Sequence, residues 1–121
     1  MRAILEGLVE TACVVIAVLW AGLAPAQSFP AKPIRVIIGY SAGGPTDVLG
    51  RIVAQKISAN IGQTMLVENR PGANSIIGTE LVANAPRDGH TIILASIGHT
   101  VNPSFYSKVA YDPIKDFSPI T

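Results

Sequence analysis

The run Ile34-Arg35-Val36-Ile37-Ile38-Gly39-Tyr40 constrains the fold of this chain more than any other segment. Its aliphatic residues are β-branched and nearly uninterrupted, which suits a short strand covered on both faces. Such strands lie in the middle of parallel sheets with helices on either side. The run stops at Gly39 and leads into Ser41-Ala42-Gly43-Gly44-Pro45-Thr46-Asp47, small residues that pass into a helix. Leu49, Val53, Ile57 and Ile61, with Val48 and Ile52 beside them, recur at helical spacing, and Gly62 ends the helix. The spacing predicts that this stripe packs on the sheet.

The alternation continues. Thr64 to Asn69 reads as a second strand, and Arg70-Pro71-Gly72 as its turn. A second helix is expected over Ser75 to Ala85, with Ile77, Leu81, Val82 and Ala85 on its inner face, stopped by Pro86-Arg87-Asp88-Gly89. Thr91 to Ser96 reads as a third strand. Helices of this length between strands predict right-handed crossovers and a parallel sheet. The fold class is therefore α/β, a three-layer parallel βαβαβ unit with strand order 2-1-3. Asn102-Pro103 and Asp112-Pro113 each pair a capping residue with proline at a first helical position, so short helical turns are expected there. Phe117 to Thr121 reads as the start of another strand.

Charge and cysteine content narrow the function classes. Nine Lys+Arg stand against eight Asp+Glu with no basic run, which leaves no electrostatic footprint for nucleic acid. One cysteine makes no internal disulfide, and two histidines without a cysteine cluster make no structural zinc site. Thr11 to Ala24 is an uncharged, mostly apolar run preceded by Arg2 and followed by Ala24-Pro25-Ala26, an A-x-A-like processing site. Residues 1–26 therefore read as a secretory signal peptide and 27–121 as the mature chain. The run is too short for an ordinary membrane span, which wants roughly 20 apolar residues. Cleavage removes Cys13, and a thiol-free product suits an oxidising compartment such as a bacterial periplasm.

Strand order 2-1-3 reverses the winding direction at the first strand, and open α/β sheets bind ligands beyond the carboxyl ends of the strands at such a point. Two loops are expected to meet there, Ser41 to Asp47 and Ile97 to Pro103. Gly43 and Gly44 let a ligand approach backbone N–H groups, and the loop opens a helix whose N-terminus favours an anion. That chemistry suits a carboxylate or phosphate. The candidate ligand-binding residues are Ser41, Ala42, Gly43, Gly44, Thr46 and Asp47, facing Ser96, Thr100 and Asn102. Asp47 either complements the helix dipole or accepts from a ligand ammonium or hydroxyl.

Other motifs are weaker. Gly39-Tyr40-Ser41-Ala42-Gly43 has the form of a nucleophile elbow, with Asp88 and His99 following in hydrolase order, but Gly43, Gly44 and Pro45 delay the helix that an elbow needs directly after its serine. Pro45 stands where a P-loop needs lysine, and no dinucleotide fingerprint is present. No cofactor is implied. His90 and His99 read as ordinary loop residues, and Tyr40, Phe105, Tyr106 and Tyr111 as packing residues, with Tyr40 placed to line a pocket.

Six segments then occur in a telling order: Pro30-Ala31-Lys32-Pro33-Ile34-Arg35-Val36, Ala42-Gly43-Gly44-Pro45-Thr46-Asp47, Val67-Glu68-Asn69-Arg70-Pro71-Gly72-Ala73, Ala85-Pro86-Arg87-Asp88-Gly89-His90-Thr91, Asn102-Pro103-Ser104-Phe105-Tyr106 and Tyr111-Asp112-Pro113-Ile114-Lys115-Asp116-Phe117. In these the chain resembles the tripartite tricarboxylate transporter substrate-binding proteins, the Bug family of periplasmic receptors. The resemblance implies the first lobe of a two-lobed type II periplasmic binding protein that captures a small carboxylate and delivers it to a membrane permease. It also implies that the Ser41 to Asp47 loop grips the ligand carboxylate through amides and hydroxyls, partly by way of bound water, and that Ser96 to Asn102 completes this side of the cleft. Family members run to about 300 residues, in keeping with two lobes of typical domain size. The resemblance thus implies a truncated receptor, lacking the second lobe and weak in ligand capture. Two other readings stay open at this level: a small serine hydrolase using Ser41, and a membrane-tethered interaction module if Thr11 to Ala24 is retained.

Overall fold

The structure, a computed structural model, describes residues 28–120. The segment read as a signal peptide lies outside the described residues. Six elements follow one another: β1 (Ile34–Ile38), α1 (Pro45–Ile61), β2 (Met65–Asn69), α2 (Ile76–Ala83), β3 (Thr91–Ile93) and α3 (Ile97–Phe105). The three strands form one parallel sheet in the order β2-β1-β3, as the alternation predicts. β1 pairs along its whole length with β2, Ile34 opposite Met65 through Ile38 opposite Asn69, and with β3 from Arg35 opposite Thr91 to Ile37 opposite Ile93.

The central position of β1 accounts for its composition. Ile34, Val36, Ile37 and Ile38 are all buried. Arg35 is the exception, and its guanidinium reaches the Glu68 carboxylate of β2 with two bonds, 2.7 and 3.0 Å. Arg70 adds a third at 3.1 Å. The Arg35 bonds, with help from Arg70, hold the Glu68 carboxyl down at about 2.

The helices cover opposite faces of the sheet, and small residues set how closely. α1 turns Asp47, Gly50 and Ala54 inward. A methyl group at Gly50 would lie 2.5 Å from Ile38 Cδ1 and 3.0 Å from Leu94 Cδ2, so the helix backbone rides directly on the strand side chains. The expected inner stripe is therefore corrected: Leu49, Val53, Ile57 and Ile61 lie on the flank of α1 and keep 37–56% of their surface exposed. Hydropathy ranks these residues highest, but close approach selects the smallest side chains for the contact. α2 repeats the pattern on the other face, where a methyl at Gly78 would meet Arg70 O at 3.0 Å and Gly39 Cα at 3.1 Å. Its buried residues are Ile76, Gly78 and Thr79, while Ile77 is exposed and Ala85 lies past the helix end. Gly62 closes α1 as expected, in a left-handed conformation with its N–H on Ser58 O.

The largest departure from expectation follows β3. The strand stops at Ile93, and the segment read as a loop from Ile97 to Pro103 is helix α3, with Asn102-Pro103 inside it rather than starting a new one. His99 accordingly sits in a helix, buried, not in a loop. Proline within a helix removes the donor that would satisfy the carbonyl four residues earlier. Here that carbonyl belongs to His99, and the Tyr111 hydroxyl donates to it at 3.1 Å. The His99 ring stacks on Tyr111 at 5.6 Å and meets Phe117 edge-on at 4.7 Å, which binds the 111–117 segment to α3. Asp112-Pro113 forms a capped turn but no helix: Asp112 Oδ1 accepts from the Ile114 and Lys115 N–H groups at 2.9 and 3.0 Å. No strand forms over the described residues 117–120.

This arrangement makes a specific prediction. Tyr111→Phe leaves the His99 carbonyl without its donor and lowers stability by about 1–3 kcal/mol in urea unfolding. In a Pro103→Ala background a backbone N–H takes over the same carbonyl, and the loss from Tyr111→Phe shrinks. An equal loss in both backgrounds would show that the hydroxyl does not compensate for the proline.

Candidate functional site

Because each helix follows a parallel strand, all three helix N-termini lie at the carboxyl ends of the strands. Their first residues are preceded by Gly44, Ser75 and Ser96, and none of the three makes a side-chain capping bond. The first N–H groups of a helix have no intrahelical acceptor. In α1 the first such bond is from Val48 N–H to Gly44 O, 3.0 Å, and Pro45 has no N–H, so the Thr46 and Asp47 amides remain as donors. Serine usually caps, yet Ser75 instead places its Oγ 3.4 Å from Thr79 Oγ1, inside the structure.

The loop after β1 is short and open. Ser41, Ala42 and Gly43 are exposed, Gly44 and Thr46 partly so. Gly43 has φ 82, a left-handed value that glycine takes without strain. Below the loop, Asp47 is buried and its carboxylate is fully engaged. Oδ2 accepts from Gly43 N–H at 2.8 Å and Arg51 Nε at 3.0 Å, and Oδ1 from Asn69 Nδ2 at 2.9 Å. These bonds, Arg51 foremost and then Gly43 and Asn69, hold the carboxyl down at about 2. The second Nδ2 hydrogen of Asn69 goes to Tyr40 O at 3.0 Å, and its Oδ1 accepts from Arg51 Nη2 at 3.0 Å. One carboxylate and one amide thus join the end of β1, the loop, the first turns of α1 and the end of β2.

The facing element is the start of α3. Ser96 is half-buried at its N-terminus, and Thr100 is exposed with its hydroxyl on Ile97 O at 3.1 Å. Asn102 is wholly buried and forms a reciprocal pair with Asn74: Asn74 Nδ2 donates to Asn102 Oδ1 at 2.8 Å, and Asn102 Nδ2 to Asn74 O at 2.7 Å. Tyr40, half-buried, extends from β1 to this region, since a methyl at Gly98 would lie 2.7 Å from its hydroxyl. The nine candidate residues therefore divide. Ser41 to Gly44, Thr46, Ser96 and Thr100 offer open or part-open groups at the strand ends, whereas Asp47 and Asn102 spend their side chains behind them.

Arg51, Asn69 and Asn74 escaped the sequence reading. Arg51 carried a signal, since it stands four residues after Asp47, the spacing of a helical ion pair. Asn69 and Asn74 meet partners 22 and 28 residues away in the chain, which no local pattern encodes. The serine-hydrolase constellation is not assembled. Asp88 pairs with Lys32 at 2.9 Å and His99 Nε2 lies 3.2 Å from Pro113 O. Among the described residues no group of His, Cys, Asp and Glu is placed to hold a metal ion.

The Asp47 network sets an acid limit. A carboxyl held at about 2 in the fold and near 4 when unfolded contributes stability above pH about 4, and that contribution is lost as pH falls towards 2. Asp47→Asn should therefore lower the urea midpoint at neutral pH and flatten its decline between pH about 4 and 2. An unchanged decline would remove Asp47 as its source.

Known proteins share this architecture. The profile of the Tripartite tricarboxylate transporter family receptor matches residues 49–121. The chain is 44% identical over 94 residues to the UPF0065 protein in the tcbD-tcbE intergenic region of Pseudomonas sp. (strain P51), covering 78% of this chain and 28% of that protein. It is similar to the solved structure of the periplasmic binding protein BugD, with TM-score 0.74 and 39% identity over 76% of this chain and 31% of BugD. It is also similar to MatC from Rhodopseudomonas palustris with bound malate, with TM-score 0.73 and 35% identity over 76% of this chain and 32% of MatC. The chain spans about a third of the length of these proteins or less. The family and these neighbours are solute-binding proteins, not enzymes. By that match and the parallel 2-1-3 sheet, the chain belongs to the tripartite tricarboxylate transporter receptor family, the Bug proteins.

Proposed function

We propose that this chain is a periplasmic solute receptor sequence whose residues 27–121 supply one wall of a carboxylate-binding cleft, for delivery of the solute to a membrane permease. The observation that carries the reading is the set of uncapped helix N-termini at the carboxyl end of the sheet, above all the exposed loop before α1. Free N–H donors at helix starts favour an anion, and a carboxylate supplies two acceptor oxygens for them. The contacts fall to the Ala42 and Thr46 amides, the Ser41 and Thr46 hydroxyls, and Ser96 across the crevice, while the Gly43 N–H stays on Asp47 and the Thr100 hydroxyl on Ile97 O. Asp47 and Asn102 hold these groups in place. A carboxylate in the Asp47 position would repel an anion were it not neutralised, and Arg51 at 3.0 Å does so.

Malate is the natural probe, being bound in the related MatC. Residues 1–26 act as the export signal, which places the mature chain in the periplasm. Titration of the isotope-labelled chain with malate should shift the backbone amide signals of residues 40–44, 46–47 and 96–100, and the neutral diamide of malate should not. Equal shifts with both compounds, or shifts confined to other segments, would overturn the reading.

A further inference from the structure

The segment from Asn69 to Ser75 holds none of the residues placed against the ligand, yet it is anchored at both ends to the elements that do. At its start the Asn69 amide makes three bonds, to Tyr40 O, Asp47 Oδ1 and Arg51 Nη2, and so grips the exit of β1 and the start of α1. Near its end Asn74 makes the reciprocal pair with Asn102 of α3. The intervening chain has little slack. Arg70 N–H donates to Ile38 O at 2.8 Å, and Pro71 fixes its own φ.

The far anchor is held under backbone strain. Ala73, Asn74 and Ser75 have φ values of 44, 52 and 74, three successive non-glycine residues in the left-handed region. Asparagine tolerates that region, but alanine and serine are disfavoured there. Such a turn persists only where its surroundings over-determine it. Those surroundings are visible. Asn102 is fully buried, so both its polar atoms need partners, and Asn74 supplies both. Gly98 of α3 packs so closely that a methyl there would lie 2.9 Å from Asn74 O as well as 2.7 Å from the Tyr40 hydroxyl. A shift of the first turns of α3 therefore moves Asn74.

We infer that Asn69 to Ser75 is a strap that sets the spacing between the two ligand-facing elements, with Asn74 and Asn102 as positioning residues at one end and Asn69 at the other. The role assigned to those elements rests on the proposed carboxylate site, but the mechanical coupling does not. It predicts that the geometry of the loop before α1 depends on a contact made on the far side of β1.

Asn74→Gly tests this, because glycine adopts φ 52 freely while the side-chain half of the amide pair is lost. Hydrogen exchange of the full chain should then quicken about tenfold at the Gly43 amide, which Asp47 Oδ2 holds at 2.8 Å, beyond any change at residues 73–79 and 97–103. In an Asn69→Ala background, where the strap is already cut, Asn74→Gly should leave exchange at the Gly43 amide unaltered. Asn102→Ala, if it folds, should reproduce the effect of Asn74→Gly. Exchange changes confined to 73–79 and 97–103, or additive effects of the Asn69 and Asn74 variants, would overturn the strap. With malate as the probe, Asn74→Gly should weaken the response about threefold to tenfold. Quickened exchange at the Gly43 amide in a chain that ignores malate would uphold the strap and refute the carboxylate reading, so the two fail separately.

Discussion

A carboxylate buried at the first turn of a helix must be neutralised and supplied with donors, or it would not stay ionised there. Asp47 meets both conditions at once. Its three donors come from the loop before α1, from the next turn of α1 and from the end of β2, so satisfying one charge fixes three chain segments relative to one another. The loop above it can then remain exposed without losing its shape. Rigidity from below and openness above are what a binding loop requires, because a ligand that finds its donors already placed spends little of its affinity on ordering them.

The same economy of space governs the helices. Gly50 and Ala54 bring α1 onto β1, and Gly78 brings α2 against Gly39, so that the helix N-termini end close to the strand termini and to one another. Larger residues at these positions would hold the helices farther out and spread the donors apart. The uncapped starts of α1, α2 and α3 fit the proposed anion site. A side-chain cap at Gly44, Ser75 or Ser96 would satisfy the groups that a bound anion would otherwise claim.

Much of this was legible in the sequence where local chemistry decides. The β-branched run of β1, the glycines before Pro45, Gly62 at the end of α1 and the alternation of elements led directly to a parallel 2-1-3 sheet with the helix starts at its carboxyl end. Where distant partners decide, the reading failed for physical reasons. The inner face of α1 was misassigned because hydropathy weighs Leu49 and Val53 above Gly50, whereas contact distance weighs them the other way. Pro103 reads as the start of a short helix after a loop, not as the interior of α3, because nothing near the proline reveals that Tyr111 will serve the orphaned carbonyl of His99. Asn69, Asn74 and Asn102 are ordinary amides in sequence, and their roles come from pairings across the sheet end.

The central claim is that open helix starts at the sheet end receive a carboxylate while Asp47 and Asn102 hold them from behind. A crystal structure of the chain grown with malate tests it most directly. The account predicts one malate carboxylate within hydrogen-bond distance of the Ala42 and Thr46 amides, with the bonds of Asp47 to Gly43, Arg51 and Asn69 intact. A carboxylate bound elsewhere, or one that displaces Asp47 from those donors, would contradict it.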